Sequence, residues 1–255
     1  MSHLPLGRRL AAEATGTGAL VAVVVGSGIQ ADRLSSDGGV ALLANSLATV
    51  FGLGVLIILL GPVSGAHFNP VVSLAAWWHG RRGGEGLPLG EAAAYTGAQS
   101  AGAIAGAVLA NAMFGLPAVS WSGQERFGTH LWLSEAVATT GLVALVFGLL
   151  RTGRAHFAAP AVASYIGAAY WFTSSTSFAN PAVTIGRAFT GTYAGITPGS
   201  AGPFIAAQLA GGLVGVALVT ALFPSSVGED TGLGASDAAT AADASPFAEQ
   251  GSPRP

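Results

Sequence analysis

Two asparagines each stand directly before a proline inside an apolar stretch, in Asn69-Pro70-Val71 and Asn180-Pro181-Ala182. Asparagine is a strong helix N-cap and proline is favoured at the first helical position, so each dipeptide marks a helix start. A helix start presents the positive end of a dipole, and an asparagine amide adds donors. Two such starts meeting face to face would orient a neutral solute and repel a cation. Few other side chains offer chemistry: Glu13 and Glu135 in apolar surroundings, His67 beside the first dipeptide, and Arg187 seven residues after Asn180. These do not converge on a nucleophile, a base and an orienting group, so the chain is not expected to be an enzyme. It has no cysteine, which excludes disulfides and thiolate metal sites, and no metal or cofactor is expected.

The elements that must hold these residues are membrane helices. Of 255 residues, 51% are hydrophobic and only 9% charged, with mean hydropathy +0.58. A soluble domain carries about one quarter charged residues. Six spans of about twenty residues are expected, over 10–31, 40–60, 91–114, 131–150, 156–173 and 203–223. The asparagines fall between spans, and the room up to Gly80 and Gly191 allows helices over 69–79 and 180–190. At 1.5 Å per residue each is roughly 16 Å long, about half of a hydrocarbon core roughly 30 Å thick. Placed end to end, the two half-helices cross the bilayer once and bring both N-termini to its centre.

The chain also repeats itself. Residues 13–26 (EATGTGALVAVVVG) and 135–148 (EAVATTGLVALVFG) share eight of fourteen residues, and Ala98-Gln99 and Gly102 match Ala207-Gln208 and Gly211. Three crossings per copy is an odd number, so the second copy enters from the opposite face as an inverted repeat. The expected organisation is a cytoplasmic N-terminus over 1–9, a first repeat over 10–114, an outer loop over 115–130, a second repeat over 131–223 and a disordered cytoplasmic tail over 224–255. The tail expectation rests on its Ser, Gly, Ala, Pro and acidic content. Orientation rests on arginine: with the N-terminus inside, Arg8, Arg9, Arg81, Arg82, Arg151, Arg154 and Arg254 are cytoplasmic and Arg33, Arg126 and Arg187 are outside, seven against three.

With these motifs in place the chain resembles an aquaporin, a member of the major intrinsic protein superfamily. The resemblance covers about 10–223 and is strongest in Ser64-Gly65-Ala66-His67-Phe68-Asn69-Pro70-Val71 and Ser177-Phe178-Ala179-Asn180-Pro181-Ala182-Val183. It implies an all-α membrane protein with six transmembrane helices and two re-entrant half-helices, a pore in each subunit of a homotetramer, and a bilayer and small solutes as partners rather than nucleic acid. Irregular backbone at membrane depth is tolerated where it lines a wet cavity. The carbonyls of Gly65, Ala66 and His67, and of Thr176, Ser177 and Phe178, are therefore expected to form an acceptor ladder, with Asn69 and Asn180 as donors.

The resemblance also implies a constriction. Water-selective members carry an arginine directly after the second motif, a histidine on the fifth span and a bulky aromatic on the second. Here Val183 follows the motif, and an ungapped count puts Thr49, Ala168 and Ser177 at the other positions, a small and partly hydroxylic ring. A two-residue gap would place Phe51 there instead of Thr49. Arg187, one turn beyond Val183, is open to two readings: a vestibule charge, or an arginine that snorkels or bonds loop carbonyls. Glu13 and Glu135 are expected to be structural acceptors for loop backbone, and His67 to fix its loop or gate by protonation. Val71, in place of the family's usual alanine, is expected to affect packing. Trp77, Trp78 and His79 read as an interfacial belt.

Val183 within Asn-Pro-Ala-Val-Thr-Ile-Gly-Arg also resembles a bacterial subgroup associated with arsenic-resistance operons. The expectation is a bacterial inner-membrane channel for small neutral solutes, including metalloid hydroxides such as arsenite, and water. A general water or glycerol facilitator is the alternative within the family. A secondary transporter is the rival outside it, but the only carboxylates within spans are Glu13 and Glu135, near the start of their spans, and Glu91, at a boundary, which leaves little for ion coupling.

Overall fold

The structure, a computed structural model, describes residues 4–83 and 86–223. The expected tail over 224–255 lies outside the described residues. The described chain forms eight α-helices: α1 (Leu6–Leu34), α2 (Gly38–Ser64), α3 (Pro70–Gly83), α4 (Leu89–Met113), α5 (Thr129–Arg151), α6 (Ala158–Phe172), α7 (Pro181–Arg187) and α8 (Pro198–Leu222). The halves α1–α4 and α5–α8 follow one plan, two helices, an irregular stretch leading into a short helix, and a final long helix. In each half the first helix packs on the second and the fourth, α1 on α2 and α4, α5 on α6 and α8. Between halves, α2 meets α6, α3 meets α8 and α4 meets α7.

Glycine lets the first and fourth helices approach to backbone contact. A Cβ on Gly102 of α4 would sit 2.1 Å from the Ala14 carbonyl of α1, and one on Gly211 of α8 would sit 2.3 Å from the Ala136 carbonyl of α5. These are equivalent positions of the repeat. Small residues serve this purpose in membrane bundles, where close backbone packing replaces hydrophobic drive. The close approach also brings Gln99 and Gln208 to the two buried acids.

By length and apolar composition alone, α1, α2, α5 and α8 are the four helices among the described residues that suffice to cross a membrane. Helix α4 is long enough but rich in Gly, Ala and polar residues. Helix α6 has 15 residues, shorter than the expected 156–173, with a separate 3₁₀ turn at Ala155–Phe157. The half-helices depart from expectation in opposite directions. Helix α3 runs through Gly80 to Gly83 and spans 14 residues, whereas α7 stops at Arg187 after 7. The last turn of α7 tightens, Ala188 N and Phe189 N donating three residues back to Ile185 O and Gly186 O, and beyond it Arg187 O accepts from Ile196 N, Ala188 O from Ser122 N, and Phe189 O from Ser120 N and Asn111 Nδ2. Those i−3 bonds close the helix, and the carbonyls past its end are satisfied by other segments.

Candidate functional site

The irregular stretches before α3 and α7 are built alike. Ala66 and Ser177, three residues before each asparagine, have φ of 49° and 48°, and Phe68 and Ala179, one residue before, have 49° and 47°. Left-handed backbone at non-glycine residues costs about 1 kcal/mol or more each and persists only when the surroundings fix it. Here the buried acids fix it. Glu13 accepts from Ser64 Oγ (2.6 Å), His67 N (3.0 Å), Phe68 N (2.7 Å) and Gln99 Nε2 (2.7 Å). Glu135 accepts from Ser175 Oγ (2.6 Å), Phe178 N (2.9 Å), Ala179 N (2.8 Å) and Gln208 Nε2 (2.6 Å). Both acids are fully buried, and four donors replace the water that each would otherwise need. Ser64, Ser175, Gln99 and Gln208 were given no role by sequence reasoning, although the serines lie five residues before each asparagine and the glutamines match in the repeat.

The asparagines tie the two stretches together. Asn69 Oδ1 accepts from Val71 N at 2.9 Å, and Asn180 Oδ1 accepts from Ala182 N and Val183 N at 3.0 and 3.2 Å, so each caps its own helix. Their amides cross over: Asn69 Nδ2 donates to Ala179 O at 2.8 Å and Asn180 Nδ2 donates to Phe68 O at 2.7 Å. One N–H of each amide is thereby used and the second has no acceptor among the described residues. Proline occupies the first turn at Pro70 and Pro181, where no N–H is lost. Val71 packs its extra methyls against Gly212 of α8, where a Cβ would lie 2.4 Å from Val71 Cγ1.

With the N–H groups of these stretches drawn to the acids, their carbonyls turn the other way. Gly65, Ala66, His67, Thr176, Ser177 and Phe178 carbonyls accept no hydrogen bond from the protein among the described residues. A cavity of about 370 Å³ reaches the first stretch from the end where α1 begins, lined by Arg9, Ser64, Gly65, His67, Leu87 and Tyr95 among others. His67 Nδ1 lies 3.1 Å from Ser73 Oγ and its ring meets Tyr95 edge-on at 5.4 Å. At the cavity's rim Arg9 pairs with Glu91 at 2.7 Å.

The expected constriction residues divide. Thr49 is 2% exposed and on the buried stripe of α2 with Asn45 and Leu53, whereas Phe51 is 69% exposed and shares the outer stripe with Leu47 and Val55. Phe51 therefore faces away from the interior. Ala168 is a correction. It is exposed and shares a helix face with Ser164 and Trp171, while Ala169 and Tyr170 are buried. The ungapped count puts Ala168 on the wrong face because one residue turns a helix by 100°. The side chain that reaches inward at that level is Tyr170, whose hydroxyl lies 3.1 Å from Thr49 Oγ1. Ser177 Oγ is buried with no partner. Val183 is 5% exposed and belongs to the central apolar cluster.

Arg187 is 3% exposed, not out in a vestibule. Its Nε donates to Ala194 O, its guanidinium lies 3.4 Å from the Phe178 ring centroid, and its terminal nitrogens have no protein acceptor. Arg126, from the segment between α4 and α5, reaches the same ring at 5.2 Å and donates from Nε to Gly195 O at 2.9 Å. Desolvation by burial pulls the Arg126 pKa down, with the Glu135 charge opposing. A guanidinium stays charged regardless. Neither Arg126 nor Tyr170 carries a sequence signal, since each depends on register or on a loop path that spacing does not reveal.

The arrangement can orient small hydroxylated molecules between carbonyl acceptors and amide donors while opposing cations with two helix N-termini and a buried arginine. The family model "Major intrinsic protein" matches residues 1–177. The chain is 52% identical over 220 residues to aquaglyceroporin AqpS of Rhizobium meliloti (strain 1021), covering 86% of this chain and 91% of that one. It is 30% identical over 216 residues to aquaporin NIP1-3 of Oryza sativa subsp. japonica, covering 81% and 72%. The fold matches the X-ray structure of the aquaglyceroporin from Plasmodium falciparum with a TM-score of 0.65 at 19% identity, over 84% of this chain and 96% of that one.

Proposed function

This chain belongs to the major intrinsic protein family, and we propose that it is a passive channel for water and small neutral polyhydroxy solutes, with glycerol and metalloid hydroxides such as arsenite in the permeant class. The observation that carries this is a pair of crossed asparagine amides at two helix starts, next to six carbonyls that accept no hydrogen bond among the described residues. A permeant must satisfy acceptors and donors in turn without carrying charge. Polyols and the hydroxides of arsenic and boron have that pattern, as does water. The name aquaglyceroporin borne by the relative at 52% identity is consistent with passage of solutes larger than water.

The constriction that decides size is proposed to comprise Thr49, Tyr170, Ser177, Val183 and Arg187. The absence of a side chain longer than valine at 183 leaves width, and Arg187, one turn further along the same face, supplies the fixed cation. The subunits are proposed to form a homotetramer in a bacterial inner membrane, with the N-terminus inside on the arginine count.

The test is the ratio of glycerol and arsenite flux to water flux in reconstituted protein. Val183→Arg narrows the ring and should lower that ratio by about tenfold, equivalent to about 1.4 kcal/mol of added barrier. An unchanged ratio in correctly inserted protein would remove Val183 from the constriction.

A further inference from the structure

We propose that the Arg187 end of the pore carries a binding site for one small monovalent anion, formed by the guanidinium groups of Arg126 and Arg187 around the ring of Phe178. Both groups approach this one ring, at 5.2 and 3.4 Å, and their Nε atoms are anchored on consecutive carbonyls, Gly195 and Ala194. Two like charges are thus held at one ring, Arg187 buried and Arg126 half-buried. Such a pair is costly unless an opposite charge accompanies it.

Among the described residues no carboxylate forms an ion pair with either arginine, and the Glu135 charge reaches them only from a distance. The single ion pair among the described residues is Arg9–Glu91, at the other end of the molecule's first helix. Glu135 is already committed to Ser175, Phe178, Ala179 and Gln208. Several donors at the arginine pair remain open. The terminal nitrogens of Arg187 have no protein acceptor, and Arg126 uses its Nη2 only on Gln124 Oε1 at 3.3 Å. The hydroxyl of Ser177, adjacent to Phe178 in the chain, is buried and unpartnered. Arg187 is 3% exposed, so an ion there is largely screened from bulk water, and a small monovalent ion is the one tested.

A bound anion occupies the donors of Arg187 that a passing neutral solute would use. It therefore slows solute flux. This consequence rests on the channel reading, whereas binding itself does not.

Two measurements on the full-length protein test the site. In reconstituted vesicles, replacing external gluconate with iodide at equal ionic strength should lower glycerol flux about twofold or more, saturating with iodide as a single site does. Arg126→Gln, normalised to its own flux in gluconate, should lose the dependence, and Arg126→Lys should retain part of it. In detergent, iodide titrated against tryptophan fluorescence reads binding without flux, because Trp132 packs on the apolar cluster that contains Phe178. Saturable quenching is expected in the wild type and purely linear quenching in Arg126→Gln. Linear quenching in the wild type, or saturable quenching retained in full by Arg126→Gln, would overturn the site. Absence of any glycerol flux in gluconate would instead count against the channel.

Discussion

Each asparagine carries two tasks on one side-chain amide: Oδ1 caps a half-helix and Nδ2 bridges to the carbonyl before the opposite asparagine. Asn180→Asp keeps an acceptor for the cap but loses the donor to Phe68 O and adds a negative charge where two helix dipoles oppose cations. Reconstituted Asn180→Asp is expected to leak protons or monovalent cations, read by a pH dye or a planar-bilayer current. A folded variant that stays tight to ions would place the barrier at the arginines. Glu135→Gln asks a different question of the same network. The carboxylate serves four donors, and an amide offers one oxygen plus an NH₂ that confronts donors. The loss should be on the order of 3 kcal/mol, measured as a lowered unfolding temperature in detergent, with Ser175→Ala costing about 1 kcal/mol. The roles at this scale were unequally legible. The capping asparagines and the buried acids stand in local motifs, so their types and spacing announce them. Tyr170 does not, because whether residue 168 or 170 faces inward depends on a rotation of α6 that no local pattern fixes.

At the scale of elements, the first and fourth helices of each half are held by glycine, and the two acid networks depend on that contact. Gly102→Val should push α4 off the Ala14 carbonyl and drag Gln99 from Glu13, costing about 1–3 kcal/mol or preventing assembly. Gly97→Ala is the control: its Cβ meets nothing within 4 Å, so it should be neutral or stabilising by up to about 1 kcal/mol. Comparing the unfolding temperatures of the two variants checks this, and equal effects would mean the close approach does not hold α1 and α4 together. The repeat, and with it the pairing of elements, was readable because residues 13–26 and 135–148 align without a gap. The length of α7 was not, because the carbonyls at and after its end are satisfied by Ile196, Ser122, Ser120 and Asn111, partners that spacing along the chain does not reveal. Apolar composition likewise marks α1 and α2 as spans but cannot place the ends of α6, whose first turn breaks into a separate 3₁₀ segment.

At the scale of the molecule, the proposed permeation path has, among the described residues, no carboxylate left open to bind and release a coupling ion. The two membrane-depth carboxylates are each saturated by four donors and serve the fold. A transporter needs a titratable or ion-binding group that changes state during the cycle. The most direct measurement is therefore glycerol flux into vesicles reconstituted with the full-length chain, across a wide range of glycerol gradients, before and after proton and sodium gradients are collapsed with ionophores. A channel gives flux that rises in proportion to the glycerol gradient and is unchanged by ionophores. Flux that saturates at low glycerol and disappears when the ion gradients are collapsed would contradict the channel.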